Sequence, residues 1–232
     1  MRMRKKKNLH PRMEVCQEYW ITDPAERIGH WRDLMPEAKE LRVELGCGKG
    51  RFTVETAKNE PDILLVAVEK VPDAMVIAME RAKNEGLRNV FFVVGDAATL
   101  PELFAPEEVD RIYINFCDPW PRKKNAKRRL THHGFLEKYK RVLRLGGQIH
   151  FKTDNAALFA WSVPEMESCF LELLNLTDDL HANGPVGIMT GYEEKFYNLG
   201  TPIHRVEAVV VTKQPRPEEQ KETEEDTSED DA

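Results

Sequence analysis

The sequence predicts an α/β protein built on an open, doubly wound and mostly parallel β-sheet. Short apolar runs alternate with stretches of helical periodicity along most of the 232 residues, which is the pattern of βαβ units. One run, ILLVAVE at 63–69, is apolar at nearly every position, as expected for a strand that helices cover on both faces. The length favours one core with modest appendages.

The first half of the chain supplies three strands and two helices. LRVEL (41–45) predicts a strand that runs into the glycine turn GCGKG and then a helix to about residue 58. After the 63–69 strand, a helix starts at Pro72 and stops near Gly86, because its apolar residues recur at helical spacing. VFFVV (90–94) predicts the third strand.

The second half continues the pattern. VDRIYINF (109–116) and GGQIHF (146–151) predict strands. Between them we expect Thr131 to cap a helix whose apolar face consists of Phe135, Leu136, Tyr139, Val142 and Leu143. A further helix from about Ala156 and two late strands, near 170–177 and at 205–212, complete the predicted sheet.

Charge is distributed unevenly along the chain. The formal net charge is -6, but residues 214–232 hold nine Asp or Glu and two Lys or Arg, so the remainder has a net charge of +1. This acidic tail has no aromatic or β-branched aliphatic residue, and we expect it to be disordered. It either solubilises the protein or competes with a polyanion. The predicted division is a basic arm at 1–15, one domain at 16–213 and the tail at 214–232.

Composition also indicates the cellular location of the protein and the redox state of its cysteines. The basic start of the chain is followed by no apolar segment, and no apolar run approaches the roughly 20 residues of a bilayer span, so we expect a cytoplasmic protein without membrane contact. The four cysteines, Cys16, Cys47, Cys117 and Cys169, show no CxxC spacing. We expect reduced thiols rather than a zinc site or disulfides.

Acidic residues end three successive predicted strands. Glu44 precedes the glycine turn of Gly46, Gly48 and Gly50, Glu69 ends the second strand, and Asp96 follows the third. The carboxyl ends of parallel strands are where open α/β sheets bind ligands. Position 51 is arginine, so the third glycine of a dinucleotide fingerprint is missing. Glu69 is placed to accept from ribose hydroxyls and Asp96 from an adenine amino group.

This arrangement resembles the class I S-adenosylmethionine methyltransferases, which are Rossmann-like, over roughly residues 41–152. The resemblance implies that Glu44 lies near the methionyl end of S-adenosylmethionine and that the backbone of 46–50 lines the cofactor. The electrostatics agree, because this cofactor carries a sulfonium and an ammonium but no phosphate.

The segment CDPWPRKKNAKRRL (117–130) follows the fourth predicted strand. Its DPW turn resembles the Asn/Asp-Pro-Pro-aromatic turn of amino-methylating enzymes, which would place Asp118 at the substrate nitrogen and the Trp120 ring on the base. The prolines stiffen the turn. Six Lys or Arg then fall within positions 122–129, and beside a methyl-donor site this basic run is interpreted as a phosphate-binding surface.

Longer motifs are similar to the bacterial tRNA (guanine-N7)-methyltransferase family, the TrmB type. These are DPWP, KRRL, GFLEKYKRVLRLGGQIHFKTDN and, at 190–196, TGYEEKF, and the similarity extends from about residue 16 to 212. Three positions depart from the usual central pattern: Cys117 replaces a proline, Arg122 replaces a lysine, and Asn125 stands near the position of the usual histidine. Arg122 keeps the charge of lysine with a different geometry.

The resemblance implies a tRNA (guanine(46)-N7)-methyltransferase that acts on the variable loop. The cofactor residues would be Glu44, Gly46, Gly48, Gly50, Glu69, Asp96 and Asp118. The substrate contacts would be Arg122, Asp154, Thr190, Gly191, Tyr192 and Glu193, and the RNA contacts would be Lys124, Asn125, Ala126, Lys127, Arg128 and Arg129. We expect Asp118 to act by positioning and charge, because N7 has no proton to remove, and Asp154 or Glu193 to accept from the opposite edge of guanine.

Two other functions fit parts of the sequence. One is a methyltransferase for an exocyclic nitrogen of nucleic acid or for a protein side chain, and the other is a noncatalytic RNA-binding scaffold. His132 and His133 are expected to cap a helix or lie at the surface without binding a metal, because adjacent helical residues diverge by about 100°. The sequence leaves the oligomeric state open between monomer and homodimer.

Overall fold

The computed structural model describes residues 7–217. Its strands are β1 (Glu40–Leu45), β2 (Ile63–Glu69), β3 (Val90–Val94), β4 (Val109–Asn115), β5 (Leu143–Thr153), β6 (Leu171–Thr177) and β7 (His204–Val210). They form one sheet in the order β3-β2-β1-β4-β5-β7-β6. β7 pairs antiparallel with β5 and β6, and the other neighbours are parallel. The predicted open, mostly parallel sheet is confirmed.

Six α-helices accompany these strands in the described part of the chain. They are α1 (Leu9–Val15), α2 (Arg51–Asn59), α3 (Pro72–Asn84), α4 (His133–Val142), α5 (Ala156–Ser168) and α6 (Gly191–Asn198). A 3₁₀ helix at Lys123–Arg128 carries most of the basic run. The helices predicted after the glycine turn, from Pro72 and from Ala156 are confirmed.

The core lies on both faces of the sheet. β2 shows this most clearly, because all seven of its residues are buried. Leu64, Val66 and Val68 pack into the cluster on one face, and Ile63, Leu65 and Ala67 pack into the cluster on the other. The uniformly apolar run therefore reflects double coverage, as predicted.

The start of α4 differs from the expectation for Thr131 and agrees with the capping role expected for His132. The N-cap is His132, whose side chain accepts a hydrogen bond from the backbone N–H of Gly134. The Thr131 hydroxyl is instead buried and lies 2.6 Å from the Ser162 hydroxyl of α5. Thr131 therefore connects the segment that precedes α4 to α5. The helix also ends at Val142, and Leu143 begins β5 three residues before the predicted strand start.

Both chain ends dock on helices as far as the structure describes them. In α1, Met13 is buried and Arg12 makes two 2.6 Å hydrogen bonds to Glu80 of α3. At the other end, the backbone of Arg216 donates to Glu137 of α4. Most of the predicted disordered tail, residues 218–232, lies outside the described residues, as do residues 1–6 of the basic arm. No helix within 7–217 is long and apolar enough to cross a bilayer.

Candidate active site

Two cavities meet at the carboxyl ends of β1 and β4. The first has a volume of about 510 Å³ and is lined by Glu44, the glycine turn, and Thr190 to Tyr192 at the start of α6. The second has a volume of about 730 Å³ and is lined by Glu69, Asp96, Asp118 and Trp120, among others. Gly46, Gly48, Asn115 and Phe116 line both cavities. The structure thus brings the four predicted cofactor acids to one continuous space of a size typical for ligand sites.

The glycine turn combines an open wall with a tight packing point. Gly46, Gly48 and Gly50 all have positive φ angles. A Cβ added to Gly48 would meet no atom within 4 Å, so this backbone is open to a ligand in the cavity. A Cβ added to Gly50 would lie 2.3 Å from the Cβ of Ala78. Gly50 therefore lets α2 start directly against α3.

Glu44 is buried in the wall of the first cavity. One carboxylate oxygen accepts a 2.5 Å hydrogen bond from the Thr53 hydroxyl, and the other faces the Asn115 amide nitrogen at 3.4 Å. Burial raises the pKa of Glu44 to about 7, although Thr53, Asn115 and the charge of Lys152 oppose this shift. A cation bound in this cavity would favour the ionised carboxylate.

Asn115 is a site residue that the sequence analysis missed. Its side-chain oxygen is buried without a hydrogen-bond partner in the described structure, although the residue lines both cavities. Buried polar atoms are nearly always satisfied by a partner, a water or a ligand. A polar residue at the end of the apolar run VDRIYIN was the signal that could have identified it.

Glu69 and Asp96 lie at the second cavity in different surroundings. The Glu69 carboxylate accepts hydrogen bonds of 2.8 Å from the backbone N–H groups of Gly48 and Val71. It therefore fixes the glycine turn, and because each carboxylate oxygen has two lone pairs, Glu69 keeps the capacity to accept further hydrogen bonds. The Asp96 carboxylate accepts from the backbone N–H of Ala98 and from Lys70. These two bonds lower the pKa of Asp96.

Asp118 is exposed within a turn of unusual backbone geometry. Phe116 and Trp120, on either side of it, have φ angles of 53° and 42°, and aromatic residues rarely adopt this region. Such local strain is characteristic of functional sites, where surrounding contacts maintain it. The turn places Asp118 and the Trp120 ring on the same cavity wall.

The basic run divides into exposed and buried members. Arg122, Lys124, Lys127 and Arg128 are exposed, Asn125 and Ala126 are half-buried, and only 9% of Arg129 is exposed. Within residues 7–217 no carboxylate forms an ion pair with any of the six cations at 122–129. The Arg128 guanidinium lies over the Trp120 ring, with its carbon 3.5 Å from the ring centroid. One face of the predicted base-stacking ring is therefore covered by Arg128.

The predicted substrate segment at 190–193 forms the start of α6. Thr190 and Glu193 make a reciprocal capping box, and Tyr192 is exposed with its ring 5.7 Å from that of Phe116. Glu193 itself is fully buried. Its carboxylate bonds to Lys152 at 2.7 Å and to His181 at 3.0 Å. A direct hydrogen bond from guanine to Glu193 would require breaking these contacts, so the structure gives this residue a supporting place behind the cavity wall.

Asp154 directly follows β5, at the same edge of the sheet as the other acids. The adjacent Asn155 caps α5 through its side chain, which accepts from Leu158. No hydrogen bond or ion pair engages the Asp154 carboxylate among the described residues. Its oxygens therefore keep their hydrogen-bonding capacity, unlike those of Glu193, but Asp154 is not among the residues that line the two cavities.

His132 and His133 lie close to each other, contrary to the geometric argument from the sequence. Their ring centroids are 3.9 Å apart, and Glu165 completes a cluster whose ligand atoms lie within 4.8 Å of one another. The angle of about 100° between successive helical residues does not apply, because His132 is the N-cap and lies outside the helix. The Arg216 guanidinium contacts His133 at 2.5 Å, and this cation disfavours a metal ion there.

A family model described as "Putative methyltransferase" matches residues 38–206. Curated relatives are similar in sequence over a longer part of the chain. The chain is 41% identical over 210 residues to the tRNA (guanine-N(7)-)-methyltransferase of Geobacillus kaustophilus (strain HTA426), covering 90% of this chain and 97% of that one. It is 42% identical over 209 residues to the protein of the same name from Bacillus cytotoxicus, covering 90% of this chain and 96% of that one.

Solved structures agree on the fold at much lower identity. A 16S rRNA methyltransferase, KamB, superimposes with a TM-score of 0.61 at 14% identity, covering 78% of this chain and 93% of that one. A variant of a 16S rRNA (adenine(1408)-N(1))-methyltransferase from Catenulisporales acidiphilia, solved with S-adenosylmethionine, gives a TM-score of 0.59 at 15% identity, covering 86% of this chain and 94% of that one. These likenesses support the class I methyltransferase fold.

Proposed function

The chain belongs to the tRNA (guanine-N(7)-)-methyltransferase family, and on that premise we propose that it methylates N7 of the guanosine at position 46 of tRNA, with S-adenosylmethionine as the methyl donor. The observation that carries the proposal is the junction at Asp118 and Trp120. This turn lines the second cavity, together with Glu69 and Asp96. It leads directly into a run of cations with no carboxylate partners among residues 7–217.

The residues of the two cavities suit S-adenosylmethionine better than a phosphate-bearing cofactor. Carboxylates at the edge would repel a pyrophosphate but attract a sulfonium and an ammonium. Glu44 and the unpartnered Asn115 oxygen would hold the methionyl end, Glu69 would bind the ribose, and Asp96 would bind the adenine amino group. When bound, the cofactor supplies an electrophilic methyl group.

The chemistry at guanine N7 needs little proton transfer from the protein. N7 carries an in-plane lone pair and no hydrogen, so the enzyme must chiefly align the base and stabilise the positive charge that develops on it. Asp118 supplies a negative charge at the cavity wall. Asp154, with no partner among the described residues, is suited to accept hydrogen bonds from N1–H and N2–H of guanine while N7 faces the methyl group.

The exposed cations at 122–128 would contact tRNA phosphates. Their charge is uncompensated within the described residues, so phosphate binding would release counterions and make tRNA affinity salt-dependent. Arg122 is the N-cap of the 3₁₀ helix that carries most of the run. It therefore stands between the methyl-transfer turn and the proposed RNA surface.

Labelled S-adenosylmethionine and unmodified tRNA test this proposal directly. After reaction with the purified full chain, the tRNA is digested to nucleosides and the label is located. Labelled 7-methylguanosine is the expected result. Label in another nucleoside would favour an exocyclic-nitrogen methyltransferase, and salt-sensitive tRNA binding without transfer would favour a noncatalytic scaffold. Either outcome overturns the proposal.

A further inference from the structure

Arg128 and Arg129 give the same signal in the sequence but occupy opposite environments. Arg128 is exposed, whereas only 9% of Arg129 is exposed. A phosphate contact must reach solvent, so the burial of Arg129 needs another explanation.

The guanidinium of Arg129 is directed at the backbone of the Asp118 turn. Its Nε donates to the Pro119 carbonyl at 3.1 Å and to the Trp120 carbonyl at 3.3 Å, and its Nη2 donates to the Trp120 carbonyl at 3.0 Å. The other side of the group packs over the ring of Trp161 in α5, 4.3 Å from the centroid. Arg129 thus bridges the turn and a helix of the core.

Among residues 7–217, Arg129 supplies the only hydrogen bonds to the carbonyls of Pro119 and Trp120 in this turn. Trp120 has a φ angle of 42°, and within the described structure no backbone N–H donates to the Pro119 or Trp120 carbonyl. Residues held in such a conformation cost about 1–3 kcal/mol and persist only when their surroundings enforce it. The donors of Arg129 satisfy both carbonyls and supply this enforcement.

The charge of Arg129 also supports a role in holding the turn. No carboxylate pairs with this buried cation among residues 7–217. Burying an unpaired charge is costly, so an apolar side chain would fill the space at lower cost if packing were its whole purpose. Only a planar fork of N–H donors can also bond both carbonyls and stack on an aromatic ring.

We propose that Arg129 is a positioning residue for methyl transfer, holding the Asp118–Trp120 turn in its working geometry, and that it does not contact tRNA phosphates. This role rests on the proposed function, because the turn is assigned to the substrate base there. The basic run then consists of two parts. The residues up to Arg128 bind RNA, and Arg129 holds the turn.

The substitution Arg129→Lys separates the two roles, because it keeps the charge but loses the planar fork. We expect kcat to fall by about 10- to 100-fold, since small misplacements of reacting groups have effects of this size. The variant Arg129→Gln removes the charge, and its slope of log K against log salt should nevertheless stay near the wild-type value. The matched variant Lys124→Gln should instead lower the magnitude of that slope by about 0.7–0.9 and raise KM for tRNA.

Hydrogen exchange provides a measurement that does not depend on catalysis. The amides of Cys117, Asp118, Trp120 and Arg122 should exchange faster in Arg129→Lys than in the wild type, and not faster in Lys124→Gln. If Arg129→Lys does not fold, Arg129→Gln, whose amide can donate to one carbonyl, also takes its place in the kinetic and exchange comparisons.

Opposite results would overturn the inference. Unchanged kcat and unchanged exchange in the turn would show that Arg129 does not position it, and a slope that falls in Arg129→Gln as it does in Lys124→Gln would identify a phosphate contact. If the wild type methylates no guanosine, the proposed function fails, while the salt slope and the exchange rates still decide the role of Arg129.

Discussion

The Nζ of Lys152 lies 2.7 Å from Oε2 of Glu193, and both residues are buried. Glu193 also faces Nε2 of His181, while Nδ1 of that ring accepts from the backbone N–H of Val186. Because Nδ1 accepts, the proton is on Nε2 and is donated to Glu193. The pair thereby ties the start of α6, which walls the first cavity, to β5.

Removing one partner of this pair is expected to destabilise the fold. Lys152→Met should lower the free energy of unfolding by about 3–5 kcal/mol, because Glu193 is left as an uncompensated buried charge. Urea unfolding measures this. The neighbouring Arg51 and Glu194 form an exposed pair at the same helix, and Glu194→Gln should cost at most about 1 kcal/mol. Equal losses in the two variants would contradict the assignment of Glu193 as a buried anchor.

Glu44 is expected to make cofactor binding pH-dependent. Burial raises its pKa to about 7, so the empty site is partly protonated near neutrality, and a bound ammonium favours the ionised form. Affinity for S-adenosylhomocysteine should therefore rise from about pH 6 to about pH 7.5, with release of protons. Calorimetry in two buffers detects the protons. Glu44→Gln should bind more weakly and lose this pH dependence, and the same dependence in both proteins would exclude Glu44 as its source.

Asp118→Asn is expected to slow methyl transfer without changing the shape of its pH profile. The amide keeps the size of the side chain but loses the charge that favours a cationic base, and interactions of this kind are worth about 1.5–3 kcal/mol, or roughly 10- to 150-fold in rate. Single-turnover rates across pH measure the effect. A wild-type rate that climbs with pH through one carboxylate titration, and that the variant abolishes, would show that Asp118 is an obligatory base.

Trp120 is expected to contribute to substrate binding through its ring. Stacking of a base on an aromatic side chain is worth about 1–3 kcal/mol, so Trp120→Leu should raise KM for tRNA by roughly 5- to 150-fold. Trp120→Phe keeps an aromatic face and should lose less. Cofactor affinity serves as the check on folding. Equal KM values for the Leu and Phe variants would mean that the ring does not stack on the base.

The sequence predicted the sheet and the acidic edge because both follow local rules. An apolar run covered on both faces and an acid at the end of each of three successive strands can be recognised without tertiary information. Glu44, Glu69, Asp96 and Asp118 therefore converge as expected on the two adjoining cavities.

Other features depended on contacts that spacing does not encode. Arg129 is one step from Arg128 in the sequence, but its burial depends on Trp161, which lies in another helix. The motif TGYEEKF predicts Glu193 at the substrate, but its partners Lys152 and His181 lie in other segments of the chain. Thr131 and His132 are adjacent candidates for the N-cap of α4. His132 caps the helix, because the Thr131 hydroxyl forms a hydrogen bond with the Ser162 hydroxyl instead.

Replacing guanosine 46 of an otherwise unmodified tRNA with 7-deazaguanosine tests the central claim most directly. The replacement exchanges N7 for a carbon and leaves the Watson–Crick edge and the phosphates intact. We predict that the modified tRNA binds with near wild-type affinity but accepts no methyl group under conditions in which the unmodified tRNA is fully methylated. Undiminished transfer to the 7-deaza tRNA would contradict the claim, because the methyl group would then go to another atom.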